Sequence, residues 1–142
     1  MKKTMLMIAL LSSALMAQNR PLANGVYAVE EAGGNDKNLV TRQFEGKGVV
    51  LDTANFAPLV IEGKPRLERD ARGSWLTIQL APDAAKRLEN LTRSQMNRPI
   101  AVVVSDKILS APTVRSVIVD GKARVTPCED ESCKTLLSQL SK

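Results

Sequence analysis

Five consecutive apolar residues, Ile100 to Val104 (IAVVV), constrain this chain more than any other feature. Such a run reads as a strand buried on both faces, so the fold must supply covering layers on either side of it. One layer lies just upstream. Ala84, Leu88 and Leu91 recur at i, i+4, i+7, with Lys86, Arg87, Glu89, Asn90 and Arg93 opposite, which is an amphipathic helix from Pro82 to about Gln95. Pro82 takes the first helical position and Asp83 suits the positive end of the helix. Pro99 ends the segment, because the residue before a proline avoids helical dihedrals.

The other elements follow from period and punctuation. Ser74 to Leu80 (SWLTIQL) alternates, with Trp75, Thr77 and Gln79 on one face and Leu76, Ile78 and Leu80 on the other, so it is a half-buried strand. Ser105-Asp106 makes a turn, Lys107 to Ser110 returns, and Ala111-Pro112 breaks the strand. Val114, Val117, Ile118 and Val119 read as a further strand ending at Asp120-Gly121, followed by Ala123 to Val125. Cys133, Leu136, Leu137 and Leu140 form the apolar stripe of a last helix, Asp130 to Leu140. The first half is less regular. Gly25 to Glu31 and Leu39 to Phe44 are strands separated by a turn at Gly33 to Asp36. Val49 to Leu51 is a short apolar run stopped by Asp52, Thr53 to Ile61 reads equally as helical turn or irregular segment, and Arg66 to Asp70 has weak strand character. The order predicts an α+β fold, an antiparallel or mixed sheet with two helices packed on one face.

Lys2 and Lys3, the apolar run Thr4 to Ala14 and the small-residue end at Leu15-Met16-Ala17 read as a signal peptide, residues 1–17. About 14 apolar residues fall short of the roughly 20 that span a bilayer, and no later stretch is apolar enough to cross one. The mature chain is thus expected to begin near Gln18 and to be periplasmic or secreted. Residues 18–48 form an N-terminal extension of strands and residues 49–142 the main domain.

Composition narrows the chemistry. The chain has no His, which removes Ser-His-Asp and Cys-His catalysis and imidazole metal ligation. Pairing Ser105 or Ser110 with Lys107 or Asp106 would be the best enzymatic arrangement, but Lys107 lies in a turn and should be solvated. Loss of the leader leaves a net charge of +3, with Arg42, Lys64, Arg66, Lys86 and Arg98 scattered among acids. One Trp, one Tyr and two Phe offer no stacking platform, so nucleic acid is excluded as a partner class.

The stretch Trp75 to Leu140 resembles the periplasmic head region of SecD, the membrane subunit that assists protein export through the Sec translocon. The matching pieces are LTIQLAPDAAKRL (76–88), RPIAVVVSDKILSAP (98–112), VIVDGKARV (117–125) and DESCKTLLSQL (130–140). Lys107, Ser110, Ala111 and Pro112, placed directly after the apolar strand, are the most diagnostic. From the residues themselves, Ser110-Ala111-Pro112 is a bend between strands, with Pro removing a ladder donor. The family has Asp-Gly where this chain has Ser105-Asp106, and Gly where it has Pro127. The resemblance implies the fold of the head region and a client-contacting role, with the Sec machinery as a possible partner. It does not imply proton-driven export, whose transmembrane helices the matched stretch lacks.

Cys128 and Cys133, an even pair outside the cytoplasm, are expected to form a disulfide. Their spacing fits neither a C-x-x-C redox pair nor a zinc pattern. If Thr126 capped the last helix, both cysteines would be helical with a rise of roughly 7.5 Å between them, beyond disulfide reach. With Asp130 as cap, where the family pattern also starts the helix, Cys128 lies outside the helix and can fold back.

The reading is a secreted, non-enzymatic binding module without cofactor or metal, contacting exported or unfolded polypeptide in the cell envelope. The alternative is an envelope inhibitor or immunity-type protein with one specific partner. The expected partner surface is the sheet face away from the helices, Trp75, Thr77, Gln79, Thr113 and Arg115, with Trp75 as its aromatic anchor. The competing placement packs Trp75 beneath residues 53–61.

Overall fold

A computed structural model describes residues 20–31, 36–128 and 130–140. In chain order the elements are β1 (Gly25–Glu30), β2 (Leu39–Phe44), β3 (Lys47–Pro58), β4 (Arg66–Asp70), β5 (Gly73–Gln79), α1 (Pro82–Ser94), β6 (Ile100–Val104), β7 (Lys107–Ser110), β8 (Lys122–Cys128) and α2 (Asp130–Leu140). The strands form two antiparallel sheets, one of five strands in the order β2-β3-β1-β6-β7 and one of three in the order β4-β5-β8. With two helices this is an α+β architecture, as the pattern predicts. The leader and the turn at residues 33–35 lie outside the described residues.

The apolar run behaves as its composition demands. All five residues of β6 are buried, and alternation divides them between two clusters. Ile100, Val102 and Val104 join Val26, Ala28 and Ala57 in the main core. That core also takes Leu76, Ile78 and Leu80 of the small sheet, Ala84, Leu88 and Leu91 of α1, and Leu136 and Leu140 of α2. Both helices therefore cover the same side, filling the space between the sheets. Ala101 and Val103 point the other way, into a second cluster with Leu22, Tyr27, Val40, Leu51 and Ile108.

This second cluster is covered by curvature of the sheet, which leaves an open depression of about 400 Å³ beside Leu22, Tyr27, Val40 and Phe56. The edge strands β2 and β7 come into contact with each other, so the five-stranded sheet curls around its own apolar face. A clasp holds the curl. Asp106 Oδ1, in the β6–β7 turn, accepts hydrogen bonds from Arg42 Nε and Nη2 of β2 at 3.2 and 3.0 Å and from the Leu22 backbone N–H at 2.8 Å. Arg42 Nη2 also donates to the Arg20 carbonyl at 2.7 Å, which ties the start of the described chain to the same point. Inside the curl, the Tyr27 and Phe56 rings stack at 4.9 Å and the Tyr27 hydroxyl donates to the Ala23 carbonyl. Burial pushes the Tyr27 phenol up, with the Asp106 charge adding to the effect.

Three sequence expectations are corrected. The apolar run at Val49 is not stopped by Asp52, because β3 continues for 12 residues to Pro58. Opposite Tyr27 and Ala28 the register jumps from Phe56 to Asp52, so residues 53–55 bulge out. The Asp52 carboxylate caps the bulge by accepting the Ala54 N–H at 2.9 Å, and the Thr53 N–H and hydroxyl both donate to the Asn38 carbonyl. Secondly, Val114 to Val119 is a loop. Val114 exchanges backbone hydrogen bonds with Asn97 and Arg98, and the Ile118 N–H donates to Thr92 Oγ1 of α1 at 3.1 Å. Crossing the end of a helix satisfies these groups without a ladder, and Val119 is left 67% exposed. Thirdly, the final strand extends from Lys122 to Cys128 instead of Ala123 to Val125.

Other details follow the sequence closely. Pro82 occupies the first turn of α1, Asp83 stands in that turn and Arg93 in the last. Ser105 and Asp106 both adopt positive φ, 53° and 64°, the conformation of a two-residue type I′ turn. The bend at Ala111-Pro112 is fastened to the start of β6, since the Pro112 carbonyl accepts the Ile100 N–H at 3.0 Å. Lys107 and Ser110 belong to β7, paired with Val104 and Val102. Cys128 ends β8 and Cys133 lies within α2, but their side chains, and so the expected bond, fall outside the described residues.

Candidate functional site

The small sheet has one face in the core and one turned away from it. Leu76 and Ile78 of β5 and Val125 of β8 are buried beneath α2, and alternation sends Trp75, Thr77 and Gln79 to the opposite side. The register then fixes their neighbours. Glu68 stands opposite Trp75 on β4, Arg66 and Arg124 stand on either side of Thr77, and Lys122 stands opposite Gln79. Three of the five residues expected to share a partner surface are thus brought together. Thr113 and Arg115 are exposed but belong to the loop after β7, not to a strand of this face.

Trp75 is half-buried and its surroundings are polar. The indole N–H donates to Glu68 Oε2 at 2.8 Å, while the Arg124 guanidinium covers the ring at 5.0 Å from its centroid. These contacts, made within the outer face, account for its partial burial. The hydrogen bond from Trp75 holds Glu68 below the usual carboxylate range, helped by the neighbouring Thr77 hydroxyl and by Arg124 and Lys122. Glu68 is therefore ionised at any physiological pH, an acceptor and not a proton donor.

Thr77 is the unexpected member. An alternating strand on an open face predicts a solvated threonine, yet Thr77 is only 7% exposed. Its hydroxyl oxygen is sealed from solvent without a partner at full hydrogen-bonding distance. Beside it lies an open depression of about 310 Å³, lined by Arg66, Thr77, Gln79 and Lys122 together with Glu62, Lys64 and Glu68. Gln79 closes one end by donating from Nε2 to the Asp120 carbonyl at 2.8 Å.

Among the described residues no three acids or thiols gather to hold a metal ion, and no helix there is long and apolar enough to cross a membrane. Sequence alternation located Trp75, Thr77 and Gln79. It missed Arg66, Glu68, Lys122 and Arg124, whose membership depends on the pairing of β4 and β8 with β5. The charged run at residues 64–72 was the available signal, but it carries no register.

Comparison with known proteins places the fold. The profile of the SecDF P1 head subdomain matches residues 44–141, more than half of the chain. The protein translocase subunit SecD of Thermobaculum terrenum is 29% identical over 81 residues, which cover 57% of this chain and 16% of that protein. SecD of Acidaminococcus fermentans is 36% identical over 55 residues, 39% of this chain and 13% of that one. The chain therefore spans about a sixth or less of these relatives. The crystal structure of SecDF in the super-membrane-facing form superposes with a TM-score of 0.56 at 20% identity over 96% of this chain and 21% of that chain. A structure of SecDF described as a membrane component that enhances protein export gives the same score at 18% identity, covering 96% of this chain and 70% of that one. The chain belongs to the SecDF P1 head subdomain family.

Proposed function

We propose that this protein is a head module of the SecD type that acts outside the cytoplasm and binds unfolded or newly exported polypeptide, without catalysing a reaction of its own. The observation that carries the reading is the outer face of the small sheet. α2 packs on its inner side and shares one core with α1, so Trp75, Gln79, Arg66, Lys122 and Arg124 stand on a face that neither helix covers. Antiparallel sheets commonly keep one face in water, and an aromatic side chain ringed by polar groups is the usual composition of a contact surface.

Three further features complete the proposal. Residues 1–17 act as a cleaved leader, so the mature chain starts near Gln18. Cys128 and Cys133, at the end of β8 and inside α2, form a disulfide that fastens the last helix to the sheet. The Sec machinery supplies the setting, by analogy with the SecD relatives. The test is fluorescence anisotropy of a labelled, reduced and alkylated protein that cannot fold, titrated with the mature chain. Saturable binding that Trp75→Ala weakens several-fold supports the reading. Absence of binding, or binding unchanged in Trp75→Ala, overturns it, and a single stoichiometric native partner would favour an inhibitor or immunity-type protein instead.

A further inference from the structure

The outer face of the small sheet also states what kind of polypeptide it fits, an inference that rests on the proposal above. Arg66 and Arg124 flank Thr77 from β4 and β8, and Lys122 stands one step along the same face. Lys64 joins them in lining the depression. Among the described residues Lys64, Arg66 and Lys122 make no ion pair. Glu62 and Glu68 line the same depression and offset only part of this charge, two carboxylates against three cations, with Arg124 a fourth cation on the same face. Cations gathered around one depression repel each other and raise the local concentration of anions.

We propose that this face binds polypeptide segments bearing acidic side chains, with a carboxylate entering the depression between Arg66 and Lys122. An extended segment places side chains on one face about 7 Å apart, at every second residue. A second carboxylate two residues away then reaches Arg124. Competing anions fit less well. A nucleic acid gains little from the single indole, which is covered by Arg124, so no ring is open for stacking. A lipid surface would be drawn by the same cations, but lasting attachment needs apolar side chains that insert, which this face does not present.

Arg124 gives the event a visible signature. Its guanidinium lies on the Trp75 ring and makes no ion pair within 4 Å among the described residues, although its charge also acts on Glu68. An incoming carboxylate competes with the ring for that cation, and pairing with it uncovers the indole. Trp75 is the only tryptophan in the chain, so its emission reports this contact alone.

The experiment titrates the mature protein with three otherwise identical, tryptophan-free extended peptides carrying Glu, Gln or Lys at alternate positions, and with anionic vesicles as a separate arm. The Glu peptide shifts Trp75 emission, with an affinity that falls as salt rises. The Gln and Lys peptides do not. Reversing two charges, Arg66→Glu with Lys122→Glu, weakens the Glu peptide about tenfold or more. The charge-preserving pair Arg66→Lys with Lys122→Arg retains binding, which separates loss of charge from loss of fold. Equal binding of all three peptides, insensitivity to charge reversal, or tighter binding to vesicles than to the Glu peptide overturns the proposal. If the unfolded probe still binds through Trp75 while charge has no effect, this inference fails and the proposed function stands. If nothing binds, both fail.

Discussion

Removing the charge of Asp106 tests how the curled sheet is held. One carboxylate oxygen accepts from Arg42 Nε, Arg42 Nη2 and the Leu22 N–H, joining β2, the β6–β7 turn and the first described residues. Asp106→Asn keeps an acceptor and suits the positive φ of 64°, since Asn is tolerated there, so the variant isolates the charge. Hydrogen bonds to a charged group contribute about 1.5–3 kcal/mol when sheltered. The Asp106 side chain is 42% exposed, so screening reduces the ion pair to about 1 kcal/mol. Asp106→Ala also leaves the Leu22 N–H without its acceptor and removes one of the acceptors of Arg42, and should cost about 2 kcal/mol. The pH dependence gives the sharper check. The Leu22 N–H foremost, and then Arg42, hold the Asp106 carboxyl below the usual range. Its contribution is therefore fully present above the unfolded value of about 3.9, and it disappears as pH falls through the lower folded value. Urea unfolding followed by circular dichroism should show Asp106→Asn less stable than wild type at pH 7, with the gap closing at the acid end of the titration. Equal stability at pH 7, or a gap unchanged in acid, would refute the clasp.

Three more outcomes follow from single contacts. Gly121 has φ +69° and a Cβ placed there would lie 2.5 Å from Ala85 Cβ of α1, so Gly121→Ala should lower stability by about 2–3 kcal/mol in the same urea assay. Thr92→Val removes the acceptor of the Ile118 N–H. It should cost about 1–2 kcal/mol and speed amide exchange at Ile118 specifically, measured by hydrogen exchange. For the cysteines, thiol titration of unreduced, denatured mature protein should find no free thiol. Because the loop they close is short, Cys133→Ala should fold and lose stability toward the low end of the roughly 0–5 kcal/mol disulfide range.

What the sequence made legible was whatever a single segment decides. The run Ile100–Val104 demanded cover on both faces and has it, and Pro82 with its i, i+4, i+7 stripe marked α1 to within a residue. The start of α2 at Asp130 also separates the two cysteines onto different elements, as the disulfide argument requires. What escaped was set between segments. The bulge at residues 53–55 resets the alternation of β3, so no window of that stretch keeps one period. Val114 to Val119 has strand composition, but Thr92 and the residues after α1 take its backbone groups. The curl depends on Arg42 meeting Asp106 across 64 positions. The candidate site has the same character: Trp75, Thr77 and Gln79 could be read from one strand, whereas Arg66, Glu68, Lys122 and Arg124 join them only once β4 and β8 are paired to β5.

The central claim, that polypeptide meets this protein on the outer face of the small sheet, is tested most directly by amide and indole NMR mapping of the mature chain during titration with an unfolded polypeptide. The account predicts that the Trp75 indole N–H and the amides of Arg66, Glu68, Thr77, Gln79, Lys122 and Arg124 shift together with one saturation curve, while those of β1 and β6 stay fixed. Shifts confined to the five-stranded sheet, with the Trp75 indole unmoved at saturation, would contradict it.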